Sequence, residues 1–155
     1  MEIRTATTGE SETVVDMWVE LASDQRAHGS HLLAAANRRT IRESIAGRIF
    51  DESVLVATVD EDIVGFVMFT VRQGRYRQDV TQGSIENIYV RPGNRGRGIG
   101  SALLSAAEGR LADDDVDTVT LEMMASNEGA RRFYQRHGYT DHRVELEKSV
   151  ENDTL

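Results

Sequence analysis

The sequence contains no cysteine, and it has a single proline and a single lysine among its 155 residues. The absence of cysteine excludes a disulfide framework, a thiol nucleophile and any cysteine-ligated zinc site. The longest apolar run, residues 63–69, is far too short to cross a bilayer, and residues 1–5 carry no signal-peptide pattern. These absences predict a cytoplasmic protein that binds no membrane.

The charge balance is strongly acidic, with 18 basic and 26 acidic residues and a formal net charge of −8. Such a chain repels polyanions, so nucleic acid is not expected as a partner. The single lysine, Lys148, leaves 17 arginines. Excess Asp and Glu with almost no lysine is typical of a halophilic protein, but an ordinary acidic surface in an arginine-rich genome gives the same composition.

The length predicts one globular domain over residues 1–148, followed by a polar tail, 149–155, that we expect to fray. The spacing of apolar residues predicts the order strand, two helices, three strands, helix, strand, helix, strand. Thr7 and Glu10 fit a capping box before the first helix. A hairpin followed by strand-helix-strand implies an α/β (α+β) fold with a mixed, mostly antiparallel central sheet flanked by helices. The predicted strands are 1–6, 53–59, 63–71, 84–90, 117–124 and 139–146.

The motif that carries chemistry lies between the fourth predicted strand and the next helix. Alternating glycines allow close approach of the backbone to a ligand, and N–H groups at a helix start favour an anion. Two arginines add mobile positive charge, so the segment is interpreted as a phosphate-binding loop. Its residues are Arg95, Gly96, Arg97, Gly98, Ile99, Gly100 and Ser101.

Three other interpretations of this loop are a Walker motif, a dinucleotide fingerprint and a simple glycine-rich turn. A Walker motif fails because Ile99-Gly100, and not Lys-Ser/Thr, follows Gly98. A dinucleotide fingerprint started at Gly96 fails because its third glycine would fall on Ser101. A glycine-rich turn that binds no ligand stays open, although two arginines at a helix start count against it.

The loop and a second motif together resemble the GNAT superfamily of acyl-CoA-dependent N-acetyltransferases. Arg95-x-x-Gly98-x-Gly100 matches that family's pyrophosphate signature, and residues 127–139 match its pattern N-x-x-A-x-x-F-Y-x-x-x-G-F/Y. The resemblance is specific over residues 63–139 and implies a GNAT-like fold. It also implies site residues. By this resemblance, backbone amides from Arg95 to Ser101 would bind the pyrophosphate of acetyl-CoA, and main-chain groups of Ile88, Tyr89 and Val90 would bind its pantetheine arm. Asn127 would contact the pantetheine. Tyr134 would lie near the thioester sulfur and protonate the departing thiolate; the alternative is a helix tyrosine packed in the core beside Phe133.

Glu86 is a carboxylate in the middle of a predicted strand, where it must be paired, solvated or functional. The resemblance implies a general base on this strand, acting directly or through a water held by Ser84. The alternative is an ion pair with an arginine such as Arg72 or Arg75.

The resemblance implies an enzyme that transfers an acetyl group from acetyl-CoA to a primary amine by direct attack in a ternary complex, without a metal. The acceptor is a small molecule or a protein amine, and residues 24–31 and 72–83 are expected to line its site. A non-catalytic acyl-CoA-binding sensor of the same fold is the alternative, and it would not need Tyr134. Many members of the family are homodimers, and residues 144–148 offer a stretch for pairing two copies.

Overall fold

The computed structural model of the chain describes residues 1–151. Its strands are β1 (Glu2–Thr5), β2 (Val54–Val59), β3 (Asp62–Val71), β4 (Gln82–Val90) and β5 (Thr118–Leu121). Its α-helices are α1 (Ser11–Arg26), α2 (Arg38–Phe50), α3 (Ile99–Asp113) and α4 (Glu128–Arg136). Short 3₁₀ turns precede α1 and α2, and a third spans Pro92–Asn94.

The five strands form one sheet in chain order, β1-β2-β3-β4-β5. The first three pairings are antiparallel, and β4 pairs with β5 in parallel. A parallel neighbour requires a crossover, and α3 provides it between β4 and β5. The expected α/β (α+β) fold, with a mixed and mostly antiparallel sheet flanked by helices, is therefore confirmed.

Apolar side chains cover both faces of the sheet. On one face Trp18 of α1 and Ile45 of α2 pack with Phe66 of β3, and on the other Leu103 of α3 packs with Val67. Because β3 is buried on both faces, its sequence is a continuous apolar run and does not alternate. The first is the α1/α2 face of the sheet and the second is its α3 face.

The start of the α1 region is fixed by a predicted capping box and an ion pair. Glu10 Oε1 accepts a hydrogen bond from the Thr7 N–H at 2.8 Å, and Glu10 Oε2 accepts one from Arg4 Nη2 at 2.6 Å. The hydrogen bond from Arg4 lowers the pKa of Glu10 to about 2. The carboxylate therefore stabilises the fold above the ordinary glutamate pKa, and this stabilisation is lost as the pH falls toward 2.

We expect Glu10→Gln to lower the free energy of unfolding by about 2 kcal/mol at pH 7. The difference from the parent should shrink between pH 4.5 and pH 3, because the parent carboxylate itself becomes protonated in the unfolded chain. Chemical denaturation at pH 7, 4.5 and 3 measures it. Glu2→Gln is the control, since Glu2 lies 3.7 Å from the same arginine with its side chain 68% exposed. A difference that stays constant down to pH 3 would contradict this assignment.

The predicted last strand over residues 139–146 is wrong, because the segment after α4 forms no strand. Its polar and apolar residues alternate, but Val144 and Leu146 are 78% and 89% exposed. Alternation of polar and apolar residues indicates which side chains would share a face of a strand. It does not supply the neighbouring strand with which the main chain must form hydrogen bonds. Of the tail expected to fray, residues 152–155 lie outside the described part of the chain.

Within residues 1–151, no helix combines the length and the hydropathy needed to cross a membrane.

Candidate functional site

A gap opens where β4 and β5 separate. The two strands pair only from Gln82–Thr118 to Ile85–Leu121, while β4 continues to Val90. Beyond Ile85, β4 therefore has no strand neighbour within residues 1–151 on the side away from β3. Main-chain groups along this edge, other than Val90 O, which accepts a hydrogen bond from Arg95 Nε, can bind a ligand in the manner of an added strand. The edge carries Ile88, Tyr89 and Val90, the residues predicted to bind a pantetheine arm.

The glycine-rich loop follows this edge and leads into α3. Gly96 and Gly98 both have φ of +79°, a left-handed conformation that favours glycine. Gly98 is the N-cap of α3, and no side chain caps the helix. The first hydrogen bond within the helix runs from Ala102 N to Gly98 O at 3.0 Å. The N–H groups of the first helical turn, at Ile99, Gly100 and Ser101, are therefore left without partners inside the helix.

The space in front of the loop is open and free of carboxylates from the helix itself. A Cβ built at Gly93, Gly96 or Gly98 would meet no atom within 4 Å. The first turn of α3 contains no acidic residue. Free N–H donors, the positive end of the helix dipole and open space together suit a phosphate group.

The two arginines of the loop differ. Arg95 Nε donates to Val90 O at 2.8 Å, and the guanidinium lies 5.3 Å from the centre of the Tyr89 ring and 3.7 Å from Asp24 Oδ2. The expectation that Arg95 is mobile is therefore wrong, because the carbonyl, the aromatic ring and the carboxylate hold its side chain. Arg97 is exposed, and its role as a mobile charge stays a prediction.

Tyr134 projects from α4 into the apolar cluster of the α3 face. Its ring makes edge contacts with Phe133, at 5.2 Å between centroids, and with Tyr139, at 5.9 Å. Burial raises the pKa of Tyr134 to about 12. The hydroxyl is therefore protonated at neutral pH and is able to donate a proton or a hydrogen bond. The Tyr139 hydroxyl, by contrast, already donates to Glu108 Oε2 at 2.6 Å.

Glu86 lies at an irregularity of β4. Ile85 pairs with Phe69 and Asn87 with Met68, so Glu86 is the extra residue of a β-bulge. Its carboxylate accepts two hydrogen bonds from Arg48 of α2, from Nε at 2.7 Å and from Nη2 at 3.0 Å. An ion pair, the alternative to a general base, thus forms, but its partner is Arg48 and not Arg72 or Arg75. The role of Glu86 as a base stays a prediction.

Asn127 has a structural role that the motif did not predict. It is the N-cap of α4, and its Oδ1 accepts a hydrogen bond from Ala130 N at 3.1 Å. The cap fixes the start of the helix that carries Tyr134. The amide nitrogen of Asn127 is not used by this cap, so a contact with a ligand stays a prediction.

Two further residues of this region were not found from the sequence. His137 Nε2 lies 2.9 Å from Ser101 Oγ and links the end of α4 to the first turn of α3. Arg48 follows Ile45 by three residues and precedes Ile49, which are both buried, so its helical position beside the apolar stripe was the available signal. Within residues 1–151, no group of three or more His, Asp or Glu side chains is placed to hold a metal ion.

Two curated proteins and one solved structure show what this chain resembles. It is 31% identical over 135 residues to a mycothiol acetyltransferase of Clavibacter michiganensis. The aligned region covers 85% of this chain and 41% of that protein. It is 24% identical over 151 residues to an aminoalkylphosphonate N-acetyltransferase of Salmonella typhimurium, covering 96% of this chain and 91% of that protein. The first curated relatives are longer, and the chain spans 53% and 41% of their lengths.

The fold itself recurs in the PaiA N-acetyltransferase of Thermoplasma acidophilum, solved in complex with coenzyme A. The TM-score is 0.78 at 19% identity, with 93% of this chain and 92% of that chain covered. The family model described as "Acetyltransferase (GNAT) family" matches residues 15–139, which include the glycine-rich loop, the gap beside β4 and Tyr134. The chain therefore belongs to the GNAT acetyltransferase family.

Proposed function

We propose that this protein is an N-acetyltransferase that moves an acetyl group from acetyl-CoA to a primary amine. The observation that carries the proposal is the uncapped, glycine-rich start of α3, which faces open space beside the free edge of β4. Family membership and the coenzyme A complex of the T. acidophilum neighbour support it.

The residues present fit acetyl-CoA as the acyl donor, which supplies an activated thioester. The backbone N–H groups from Arg95 to Ser101 hold its pyrophosphate, with Arg97 as the free cation. The β4 edge holds the extended pantetheine arm through main-chain hydrogen bonds. Asn127, the N-cap of α4, contacts the pantetheine through the amide nitrogen that the cap does not use.

Three groups of the chain act on the reacting atoms. Glu86, directly or through a water at Ser84, accepts a proton from the acceptor ammonium and leaves a nucleophilic amine. A backbone N–H near Ile88 stabilises negative charge on the carbonyl oxygen as the N–C bond forms. Tyr134 donates a proton to the sulfur as the C–S bond breaks, and it regains the proton that the nitrogen loses on becoming an amide. The proton held by Glu86 passes to water. No metal takes part.

A panel of amines incubated with acetyl-CoA tests the proposal. The panel contains ethylamine, β-alanine, 2-aminoethylphosphonate (an aminoalkylphosphonate, as the name of the Salmonella relative records) and a peptide with a free N-terminus and a lysine. We expect acetylated product from at least one acceptor, measured by mass spectrometry, at a rate well above that without protein. Binding of acetyl-CoA without product from any acceptor would favour the alternative, a non-catalytic acyl-CoA sensor.

A further inference from the structure

The bidentate ion pair between Arg48 and Glu86 lies at the gap between β4 and β5. Glu86 is the first β4 residue beyond the last β4–β5 pair, and Arg48 reaches it from the last turn of α2. The pair therefore lies on the α1/α2 face, while Tyr134 packs in the cluster of the α3 face. Under the proposed function, an acceptor that approaches from the α1/α2 side meets this pair before the thioester.

The pair is accessible to a ligand. The Arg48 and Glu86 side chains are 32% and 29% exposed, so water or a solute reaches both. Exchanging a partly exposed ion pair for an equivalent one costs little, because each charge keeps a partner throughout. The hydrogen bonds that Arg48 donates to Glu86 raise the pKa of Arg48, so the guanidinium keeps its charge at any assay pH.

The geometry of the pair selects between acceptor chemistries. A simple ammonium that approaches Glu86 also approaches the guanidinium, and the like charges repel. An acceptor with an anionic group next to its amine avoids this repulsion. Its anionic group forms an ion pair with Arg48 in place of Glu86, and its ammonium forms an ion pair with Glu86. The planar fork of arginine matches carboxylate and phosphonate oxygens.

We infer that Arg48 selects acceptors that bear a carboxylate or phosphonate beside the primary amine. When this anionic group binds Arg48, the Glu86 carboxylate leaves Arg48 and pairs with the acceptor ammonium. The inference rests on the proposed function and names its substrate class. Glu86 is thereby held by Arg48 in the free protein and becomes available as a base only when a zwitterionic acceptor binds. Arg48 is a specificity residue and does not take part in the bond changes.

The test compares acceptors that differ in the anionic group: β-alanine and 2-aminoethylphosphonate against ethylamine. In the parent, we expect kcat/KM at least tenfold higher for the two acids than for ethylamine. Arg48→Gln should reduce this preference by roughly ten- to thirtyfold, mainly through KM for the acids, and Arg48→Lys should retain part of it. The ratio between the two acids shows which anion the site prefers.

Arg42→Gln is the matched control, because Arg42 lies on the same helix and pairs with Glu12 instead. It should leave both the preference and the ethylamine rate unchanged. Circular dichroism and the ethylamine rate of Arg48→Gln show whether that variant is folded.

Two results would overturn the inference and leave the proposed function standing: acetylation of ethylamine as efficient as that of the acids, or an unchanged preference in Arg48→Gln. If no acceptor is acetylated, the proposed function fails. Calorimetry then tests the inference separately, by measuring the affinity of the CoA-loaded protein for each acceptor. The parent should bind 2-aminoethylphosphonate or β-alanine and Arg48→Gln should not; equal binding of the acids and ethylamine would refute the selection by Arg48.

Discussion

Gly98→Asp should weaken acetyl-CoA binding by about 100-fold or more, as measured by calorimetry. Gly98 has φ of +79° and precedes the free N–H groups of α3, with open space in front of its Cα. A carboxylate there competes for the same donors, as an N-cap side chain does. It also places a negative charge beside the pyrophosphate, a repulsion of about 4 kcal/mol at 4 Å near a protein surface.

Gly98→Asn separates charge from shape. Asparagine has nearly the size of aspartate and tolerates a left-handed conformation better than most residues, but it carries no charge. We expect a loss of about tenfold for Gly98→Asn, against about 100-fold or more for Gly98→Asp. Equal affinities for the two variants, or an affinity of Gly98→Asp equal to that of the parent, would place the pyrophosphate elsewhere.

Tyr134→Phe should lower kcat by roughly ten- to thousandfold and leave the affinity for acetyl-CoA nearly unchanged. The substitution keeps the ring, and with it the edge contacts to Phe133 and Tyr139. Only the proton donor is lost, and it acts as the C–S bond breaks, so the transition state is affected more than the bound ground state. With a pKa of about 12, the Tyr134 hydroxyl stays protonated between pH 6 and pH 9, and the defect should not vary across that range.

Tyr139→Phe is the control for this variant. Its ring lies 5.9 Å from that of Tyr134, but its hydroxyl is engaged by Glu108. Loss of that hydrogen bond should lower stability by about 1 kcal/mol, while kcat stays within a few-fold of the parent. Equal turnover of Tyr134→Phe and the parent would remove the acid role.

The parts of the site that depend on local backbone geometry could be predicted from the sequence. Glycines with positive φ, a helix start without a side-chain cap and the spacing of aromatic residues on α4 are all properties of short segments. The mixed sheet could also be predicted, because a hairpin followed by strand-helix-strand leaves few arrangements.

The parts that depend on distant partners could not be predicted. The β-bulge at Glu86 and its pairing with Arg48, 38 positions earlier, arise from the register of β3 and the position of α2. Arg95 is held by groups from α1 and β4 that no local pattern reveals. The segment after α4 alternates as a strand does, but whether it pairs depends on a neighbouring edge rather than on its own residues.

Acetyl transfer itself is tested most directly by measuring, in one reaction, the acetylated amine and the CoA thiol released. With parent protein, acetyl-CoA and the most efficient acceptor of the panel, the two products should appear in a 1:1 ratio, and both should fall together in Tyr134→Phe. Tight binding of acetyl-CoA with no acetylated amine from any acceptor, or thiol release without acetylated amine, would contradict an N-acetyltransferase.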